Sequence, residues 1–474
     1  MKKLAVLIFT LAISAFVVEA KNITIVDEAN TVNFELLDVE IEGNLMIVTG
    51  GLGGAGFYDI SDPLNPEILS SFELKECAWG RSYNWDIDGN LAIGTARECG
   101  MAIYDIAVPK SPVKKIHFNP DENAFSRPDA RSDISLEDVE IENNYAAFAA
   151  HTDGLVLYNI FDSSNPKFLS QIKTTNAFSL ALENKTAYVA DGDGGIRIID
   201  LTNPTSPRLL GSHSTSGSAR DIRYRDGRVF VAVGAAGVDV FNVEDPNNPV
   251  FLDNYATLGF ASRVTIHESG NLISVSAWDY LEVLQWNDRT LESAGFKDTG
   301  GRVMAVGTPG GNFIYSAEWE RLRIMEYGEI NGPDLDIMPR SLNFPRLSTG
   351  QSDTLPVLLT NNGNQALIIS LIQSSHQDFT TFPDINRLEP NESVELNIVY
   401  SANATNAGGR LNIYSTDPDE GITSVKLQGN RQYSVDVNVP APDFELPFVI
   451  NGSGTLKLSE LKGQIVVLAF FGSW

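Results

Sequence analysis

DVEIEGNLMIVTGGLGGAGFYDI at residues 38–60 and DVEIENNYAAFAAHTDGLVLYNI at residues 138–160 are two copies of one unit. The same template lies without gaps on residues 84–106, 179–201 and 221–243, and more loosely on segments that end at Trp286 and Tyr327. The copies end at residues 60, 106, 160, 201, 243, 286 and 327, so successive ends are 46, 54, 41, 42, 43 and 41 residues apart. The chain therefore contains seven copies, which we call repeats 1 to 7.

Each copy alternates apolar and polar positions. In repeat 1, Val39 and Ile41 precede a Gly43-Asn44 turn, and a second apolar run ends at Val48. A glycine-rich turn separates this run from a third one. A fourth run follows a proline that recurs six residues beyond the third run in repeats 1 to 5, as Pro66, Pro112, Pro166, Pro207 and Pro249. Alternation with period two predicts strands with one buried face, and the turns predict hairpins, so each copy is expected to form a four-stranded antiparallel sheet.

The repeat period predicts a ring of small sheets, because one sheet of this size cannot bury its faces without neighbours. The repeated residues, as in AYVADGDGGIRIIDLTNPTSPRLLG at residues 187–211, resemble the LVIVD-repeat family of β-propellers. The resemblance covers roughly residues 23–330 and implies a seven-bladed β-propeller over residues 21–330. Repeat 7 lacks an obvious fourth strand, so residues 22–27 (NITIVD) are expected to supply it and to latch the ring.

Composition and charge exclude several classes of protein. The chain has 474 residues, of which 43% are apolar and 20% charged, enough for two or three domains. Its 61 acidic and 34 basic residues give a formal charge of −27. Nucleic acids and anionic membranes are bound through basic patches, so this charge argues against both as partners. The five histidines have no metal-ligand spacing, and no cofactor, metal site or hydrolytic motif is predicted.

Residues 1–20 (MKKLAVLIFTLAISAFVVEA) have the pattern of a secretory signal peptide. Lys2 and Lys3 precede an apolar run from Leu4 to Val18, and small residues suited to cleavage follow. The run is shorter than a typical membrane span, and no later stretch is a candidate span. We therefore expect an exported protein, periplasmic, cell-surface or extracellular, whose mature chain starts near Lys21.

Two connections between copies are longer than the others, ELKECAWGRSY at residues 73–83 and NPDENAFSRPDARSDIS at residues 119–135. Both join a fourth strand to the next first strand, so both would emerge on one face of the ring. Long loops on a rigid scaffold often carry binding residues, although tolerated surface insertion is the simpler alternative. The expected partners are proteins, and the candidate partner-binding residues are Trp79, Arg81, Trp85, Arg127 and Arg131.

Cys77 and Cys99 are the only cysteines. In the gapless alignment Cys99 takes the place of Gly194, in the turn between the second and third strands, and Cys77 lies in the loop that leads into the same copy. In an oxidising compartment the two could pair and close a loop of about 23 residues, which stabilises by about 3 kcal/mol in the chain-entropy model. This candidate disulfide is structural; two unpaired thiols or a redox pair are the alternatives.

The first position of the template is polar in five copies: Asp38, Asn84, Asp138, Ser179 and Asp221. Arg263 and Arg302 lie near the corresponding places in repeats 6 and 7. Because first strands line the central channel of a propeller, these residues could form a polar ring. Ordinary capping where each strand begins is the interpretation that we favour.

Residues 333–430 lack the repeat period but keep short alternating strands between turns, as an all-β sandwich requires. The LNF at residues 342–344, the TNNGNQAL turn, the LEPNESVELNIVY strand and the STDPDEG turn resemble the immunoglobulin-like modules of abnormal-spindle and hydin-type proteins. The resemblance implies an immunoglobulin-like β-sandwich that spaces or docks other domains. We expect no chemistry from it.

Residues 431–474 change character again. APDFEL, then LKLSELKG, then an apolar run at residues 465–471 that leads to Gly-Ser-Trp474, resemble the beginning of a thioredoxin-fold domain of the AhpC/TSA and TlpA-like group. The resemblance implies that a reactive cysteine, often in a Cys-x-x-Cys pair, follows beyond Trp474, so no catalytic residue is expected in this chain.

The run at residues 465–471 reads as a strand buried on both faces, which needs neighbouring strands and covering helices. We therefore expect a longer parent protein, a thiol-disulfide oxidoreductase or thiol peroxidase. The fold class expected overall is mainly all-β, followed by an incomplete α/β segment. A non-enzymatic adhesion or structural protein is the alternative function.

Overall fold

The computed structural model describes residues 21–31, 34–52, 54–74, 82–97, 99–118, 134–329, 331–403, 407–418, 420–430, 445–447 and 455–457. It divides into two compact units, Met1–Asn331 and Gly332–Trp474. All regular elements within the described ranges are β-strands, which confirms the mainly all-β class. The predicted signal peptide lies outside the described residues.

Repeats 1 to 5 each form one four-stranded sheet whose strands follow chain order. An N-terminal strand, β1 (Lys21–Ala29), precedes them. Their strands are β2 (Phe34–Glu42), β3 (Leu45–Leu52), β4 (Gly54–Asp59) and β5 (Glu67–Phe72) in repeat 1; β6 (Trp85–Asp88), β7 (Leu91–Thr95), β8 (Met101–Asp105) and β9 (Val113–Phe118) in repeat 2; β10 (Asp138–Glu142), β11 (Tyr145–Ala149), β12 (Leu155–Asn159) and β13 (Lys167–Ile172) in repeat 3; β14 (Ser179–Glu183), β15 (Thr186–Ala190), β16 (Ile196–Asp200) and β17 (Arg208–His213) in repeat 4; and β18 (Asp221–Arg225), β19 (Arg228–Ala232), β20 (Val238–Asn242) and β21 (Val250–Tyr255) in repeat 5.

Repeats 6 and 7 share one six-stranded sheet of order β1-β26-β25-β24-β23-β22. Its further strands are β22 (Ala261–Ile266), β23 (Leu272–Trp286), β24 (Leu291–Gly307), β25 (Phe313–Glu318) and β26 (Arg321–Glu329). Strand β1 pairs antiparallel with β26, with Ile23 opposite Tyr327. The predicted latch by residues 22–27 is thereby confirmed.

The first strands of consecutive repeats contact one another in a closed circuit: β2, β6, β10, β14, β18, β22, β24 and again β2. Apolar clusters lie between neighbouring sheets. One cluster joins Phe57 of repeat 1 to Ala92 of repeat 2, and another joins Tyr58 of repeat 1 to Tyr315 of repeat 7. Each sheet therefore buries its faces against the sheets beside it, which is how repeat architectures obtain a core.

The second unit contains two sheets, β27-β29-β33-β31 and β28-β35-β34-β30-β32. Their strands are β27 (Leu335–Met338), β28 (Ser341–Asn343), β29 (Ser352–Asn361), β30 (Leu367–Ser374), β31 (Phe379–Phe382), β32 (Arg387–Leu388), β33 (Ser393–Ser401), β34 (Ala407–Ser415) and β35 (Ile422–Gly429). Both sheets contribute to one apolar cluster, with Leu359 and Ile398 from the first and Ile413 and Val425 from the second. This is the expected sandwich.

Within residues 431–474 the structure describes only β36 (Glu445–Pro447) and β37 (Thr455–Lys457), which pair antiparallel. The thioredoxin-like segment stays a prediction from the sequence.

Candidate binding site on the loop face

Most of the residues predicted to bind a partner lie outside the described residues: Trp79, Arg81, Arg127 and Arg131. Cys77 lies outside them as well. Cys99 is disulfide-bonded, and its pairing with Cys77 stays a prediction.

The prediction for Trp85 is wrong. Its side chain is only 2% exposed and lies in the core between repeats 1 and 2. Ring centroids of Phe72 and Tyr104 lie 5.2 and 5.8 Å from that of the indole. The indole N–H donates to the hydroxyl of Ser82. Trp85 begins β6 opposite Gly94, which leaves room for the indole, so the residue fills the sheet interface and does not face a partner.

The polar residues at the first template position bond across repeats. Asn84 Nδ2 donates to Asp138 Oδ1 at 2.7 Å, and Ser179 Oγ donates to Asp221 Oδ1 at 2.7 Å. The guanidinium of Arg263 donates to Asn84 Oδ1 at 2.8 Å from the opposite side of the circuit. These bonds support the polar-ring interpretation for Asn84, Asp138, Ser179, Asp221 and Arg263. Arg302 does not join them, because its guanidinium lies over the rings of Trp278 and Trp319.

The same residues also cap strands, both their own and those of the next repeat. Asp138 Oδ1 accepts from the N–H of Val139 on its own strand at 3.0 Å. Asp138 Oδ2 accepts from the N–H of Leu180 at 3.0 Å, and Asp221 Oδ2 accepts from that of Val264 at 2.8 Å. Such bonds fix each first strand to its neighbour. The favoured prediction, ordinary capping where each strand begins, is thus confirmed at Asp138, and the bonds to the next repeat were not predicted.

Further along the first strands, half-buried acids lie near the half-buried Arg223. Burial and the neighbouring carboxylates raise the pKa of Glu40 and of Glu140 well above the usual range. Burial raises the pKa of Asp86 to about 7. Asp221 and the other nearby carboxylates hold the pKa of Arg223 above its ordinary value against the effect of burial. Within the described residues, no group of three or more His, Cys, Asp or Glu side chains could hold a metal ion.

The turn between the second and third strands presents side chains on the face from which the predicted long loops emerge. In repeats 4 and 5 its first residue is glycine with positive φ, Gly192 at 57° and Gly234 at 65°. Repeats 2, 3 and 6 keep this backbone with Arg97, His151 and Trp278 at φ 49°, 47° and 62°. Positive φ is unfavourable for bulky residues, and such strain is concentrated at functional sites.

These turn residues belong to an unbroken chain of ten side chains along this face, which we call the rim belt. Its members in order are Tyr83, Arg97, Glu137, His151, Phe178, Arg220, Phe260, Trp278, Arg302 and Trp319. Cation–π contacts join Arg97 to Tyr83 (4.0 Å), Arg220 to Phe178 (4.4 Å) and Phe260 (5.8 Å), and Arg302 to Trp278 (3.9 Å) and Trp319 (6.0 Å). Edge-to-face contacts join His151 to Phe178 (5.2 Å) and Phe260 to Trp278 (6.0 Å).

Glu137 is the one carboxylate within the rim belt. Arg97 donates to both of its oxygens at 2.7 and 2.9 Å, and His151 Nε2 lies 3.1 Å from Oε2. Burial alone would raise the pKa of Glu137, but these partners lower it to about 2. The pKa of His151 is raised despite burial, because its two ring nitrogens face Glu137 and the Asn176 Oδ1 atom. Arg97, Glu137 and His151 thus form a charged, hydrogen-bonded clamp between repeats 2 and 3.

Buried carboxylates hold the loops that carry the rim belt. The bonds are from the backbone N–H groups of Thr175 and Asn176 to Asp191 (3.0 and 2.7 Å), from that of Ser216 to Asp239 (2.7 Å) and from that of Leu258 to Glu282 (2.6 Å). All three carboxylates are fully buried. The loops that precede Phe178, Arg220 and Phe260 are therefore anchored, and a rigid surface loses little entropy when it binds.

Sequence reasoning chose this face but missed the rim belt. The signal was present, because Arg97, His151 and Trp278 stand where the template has glycine in other repeats. A residue that replaces a turn glycine and keeps positive φ needs a reason beyond the turn. The contacts between repeats could not be read from the sequence.

Comparisons with known proteins agree with the two units. Residues 175–215 match the family model of the LVIVD repeat, and residues 333–426 match that of the HYDIN/CFA65/VesB-like, Ig-like domain. The beta-propeller domain of Myceliophteria thermophila Cps50 (Swd1) is similar over 65% of this chain and 99% of that chain, with a TM-score of 0.50 and 11% identity. The repeats form a β-propeller.

The computationally designed Ika8 protein is similar over 64% of this chain and 99% of that chain, with a TM-score of 0.47 and 12% identity. The comparison with curated proteins gives no match. Among the described residues there is no helix with the length and apolar character needed to cross a membrane.

Proposed function

We propose that this protein is an exported binding or scaffold protein whose propeller holds a partner protein on the rim belt. The observation that carries the proposal is the unbroken rim belt, whose members other than Glu137 are aromatic or arginine side chains and in which Trp278 is 42% exposed and has positive φ. Tryptophan, tyrosine and arginine dominate the energetically important residues of protein interfaces. A β-propeller also commonly mediates protein interactions, and the immunoglobulin-like domain suits a spacing role.

The propeller has seven blades. The support is the closed circuit of first strands together with the register shifts in β23 at Trp278/Tyr280 and in β24 at Val303/Ala305. On this interpretation, β24 leaves one blade and enters the next, and β1 completes the last blade beside β26. Seven sequence repeats support the same count.

The site can be tested by photo-crosslinking with the full chain. A photoreactive phenylalanine analogue replaces Trp278 in one variant and Phe161 in the other. Phe161 is 81% exposed and follows the third strand of repeat 3, so it lies on the opposite face. We expect a defined crosslinked partner at position 278 and none at position 161. Equal labelling at both positions, or none at position 278, would contradict the proposed site.

Export and a redox role rest on the sequence alone. Residues 1–20 support export, and the APDFEL and LKLSELKG elements support a thioredoxin-like domain in a longer parent protein. In that parent, a thiol-disulfide oxidoreductase or thiol peroxidase, the propeller recruits or presents substrate proteins. Sequencing the native transcript beyond the Trp474 codon tests this role. A cysteine directly after that codon supports it, whereas a stop codon there favours an adhesion or structural protein.

A further inference from the structure

The three arginines of the rim belt differ in what their hydrogen-bond donors do. Each guanidinium stacks on an aromatic ring of the rim belt, at 4.0 Å for Arg97, 4.4 Å for Arg220 and 3.9 Å for Arg302. The guanidinium of Arg97 donates hydrogen bonds to both carboxylate oxygens of Glu137. Within the described residues, no oxygen accepts a hydrogen bond from the guanidinium of Arg220 or of Arg302, and the buried Nε of Arg220 has no partner. Two stacked arginines thus present unused donors.

We propose that Arg220 and Arg302 are carboxylate-binding sites that together grip an acidic peptide segment of the partner protein. The inference rests on the proposed binding role of the rim belt and specifies its chemistry. Arg97 shows the arrangement that an incoming carboxylate would complete, because a guanidinium stacked on a ring offers its edge for bidentate bonds. Phe260 and Trp278 lie between the two arginines and supply an apolar floor for the peptide.

The surroundings of both arginines fit this assignment. Burial lowers the pKa of Arg220 and of Arg302, although Asp193 and Asp279 act on them in the opposite direction. Neither aspartate is hydrogen-bonded to its arginine among the described residues. A desolvated guanidinium without an acceptor gains more from an anion than a hydrated one does. Each site has a single arginine, which matches a two-oxygen carboxylate better than a phosphate that gathers several cations.

A cavity of ≈ 330 Å³ opens beside Arg302, lined also by Trp319, Glu318 and Arg321. Glu318 also lines the cavity, but its Oε2 lies 3.2 Å from Arg321 Nε and its Oε1 lies 3.4 Å from Arg323 Nη1. Glu320 also lines the cavity, and among the described residues no carboxylate lies within salt-bridge distance of Arg302. The net charge of −27 opposes an acidic partner at long range, yet ions screen such repulsion beyond about 8 Å at physiological salt.

The test is fluorescence anisotropy with the full chain and a labelled peptide of alternating Glu and Gly residues. The control peptides carry Gln or phosphoserine in place of Glu. Arg220→Met and Arg302→Met keep the apolar stem and remove the donors. Arg208→Met changes an arginine of β17 whose side chain is 73% exposed and paired with Asp200. We expect each of the first two variants to weaken binding about tenfold, the double variant about a hundredfold, and Arg208→Met not at all.

Melting curves equal to that of the unsubstituted chain establish that the variants are folded. Arg302→Lys keeps the positive charge but lacks the planar, two-pronged set of guanidinium donors, and it is expected to recover only part of the binding. Equal binding of the Glu and Gln peptides, binding of the phosphoserine peptide alone, or an equal loss in Arg208→Met would each overturn the carboxylate assignment. If crosslinking at position 278 still captures a partner in that case, the binding face stands and only its chemistry is wrong.

Discussion

Trp85 and Trp278 both belong to the propeller, and they differ in burial and in backbone conformation. Trp85 is 2% exposed, lies opposite Gly94 and packs against aromatic residues of two repeats. Trp278 is 42% exposed and stands at φ 62° at the register shift within β23, where Gly234 has the same backbone conformation in repeat 5. The first side chain is needed to join two sheets. Trp278 has a positive φ, which is unfavourable for a bulky residue, and its side chain contacts other members of the rim belt.

The largest expected effect is that of removing the buried indole. Trp85→Ala leaves a cavity among Phe57, Phe72 and Tyr104 and orphans the hydroxyl of Ser82, so we expect the free energy of unfolding to fall by about 3–5 kcal/mol. Urea unfolding followed by circular dichroism measures it. A loss below about 1 kcal/mol would place Trp85 outside the core.

The aligned repeats contain enough information to predict that Trp85 is buried and Trp278 is not. Trp85 aligns with Val39, an inward position of the first strand, so the template itself predicted burial. The long loop before it drew the interpretation towards binding, because loop length is a local signal and burial depends on the position in the repeat. The four-stranded pattern and the latch by β1 were predictable, since alternation and a missing fourth strand are visible in the chain.

The rim belt was only half predictable. That Arg97, His151 and Trp278 replace a turn glycine can be read from the aligned copies. That Phe260 reaches over Gly234, where a Cβ would approach its ring to 2.9 Å, depends on how one repeat meets the next. Contacts such as Arg220 with Phe178 likewise join different repeats. Distances of this kind follow from ring closure, which a single repeat does not encode.

The next effect in size concerns the charged clamp. Glu137→Gln removes a carboxylate that is bonded by Arg97 and His151 and whose pKa is lowered from 4.5 to about 2. The variant is expected to lose about 2–3 kcal/mol of stability near pH 6, since each unit of pKa shift corresponds to about 1.4 kcal/mol. Chemical denaturation of both proteins at that pH measures the loss. An unchanged free energy would show that the clamp is only a surface ion pair.

The pH dependence of this clamp has a definite sign. The lowered pKa of Glu137 means that its contribution is present above pH 4.5 and is lost as the pH falls towards about 2. The raised pKa of His151 means that its contribution is present below pH 6.5 and is lost as the pH rises through the folded-state value. The difference in unfolding free energy between the unsubstituted chain and Glu137→Gln should therefore be largest between pH 4.5 and 6.5. Denaturation curves at several pH values test this, and a difference that grows steadily up to pH 9 contradicts it.

The smallest effect on stability, and the sharpest form of the comparison, is expected for Trp278→Gly. Relief of the positive φ is worth about 1 kcal/mol, and the lost stacking on Arg302 and Phe260 costs about as much. The free energy of unfolding should therefore change by less than about 1 kcal/mol, whereas acidic-peptide binding should fall severalfold. Gly234→Ala is the matched counterpart, since it adds a Cβ at φ 65° and 2.9 Å from the ring of Phe260, and it should destabilise. Should Trp278→Gly destabilise as much as Trp85→Ala, Trp278 would be a core residue like Trp85, and the rim belt would lose its most exposed binding residue.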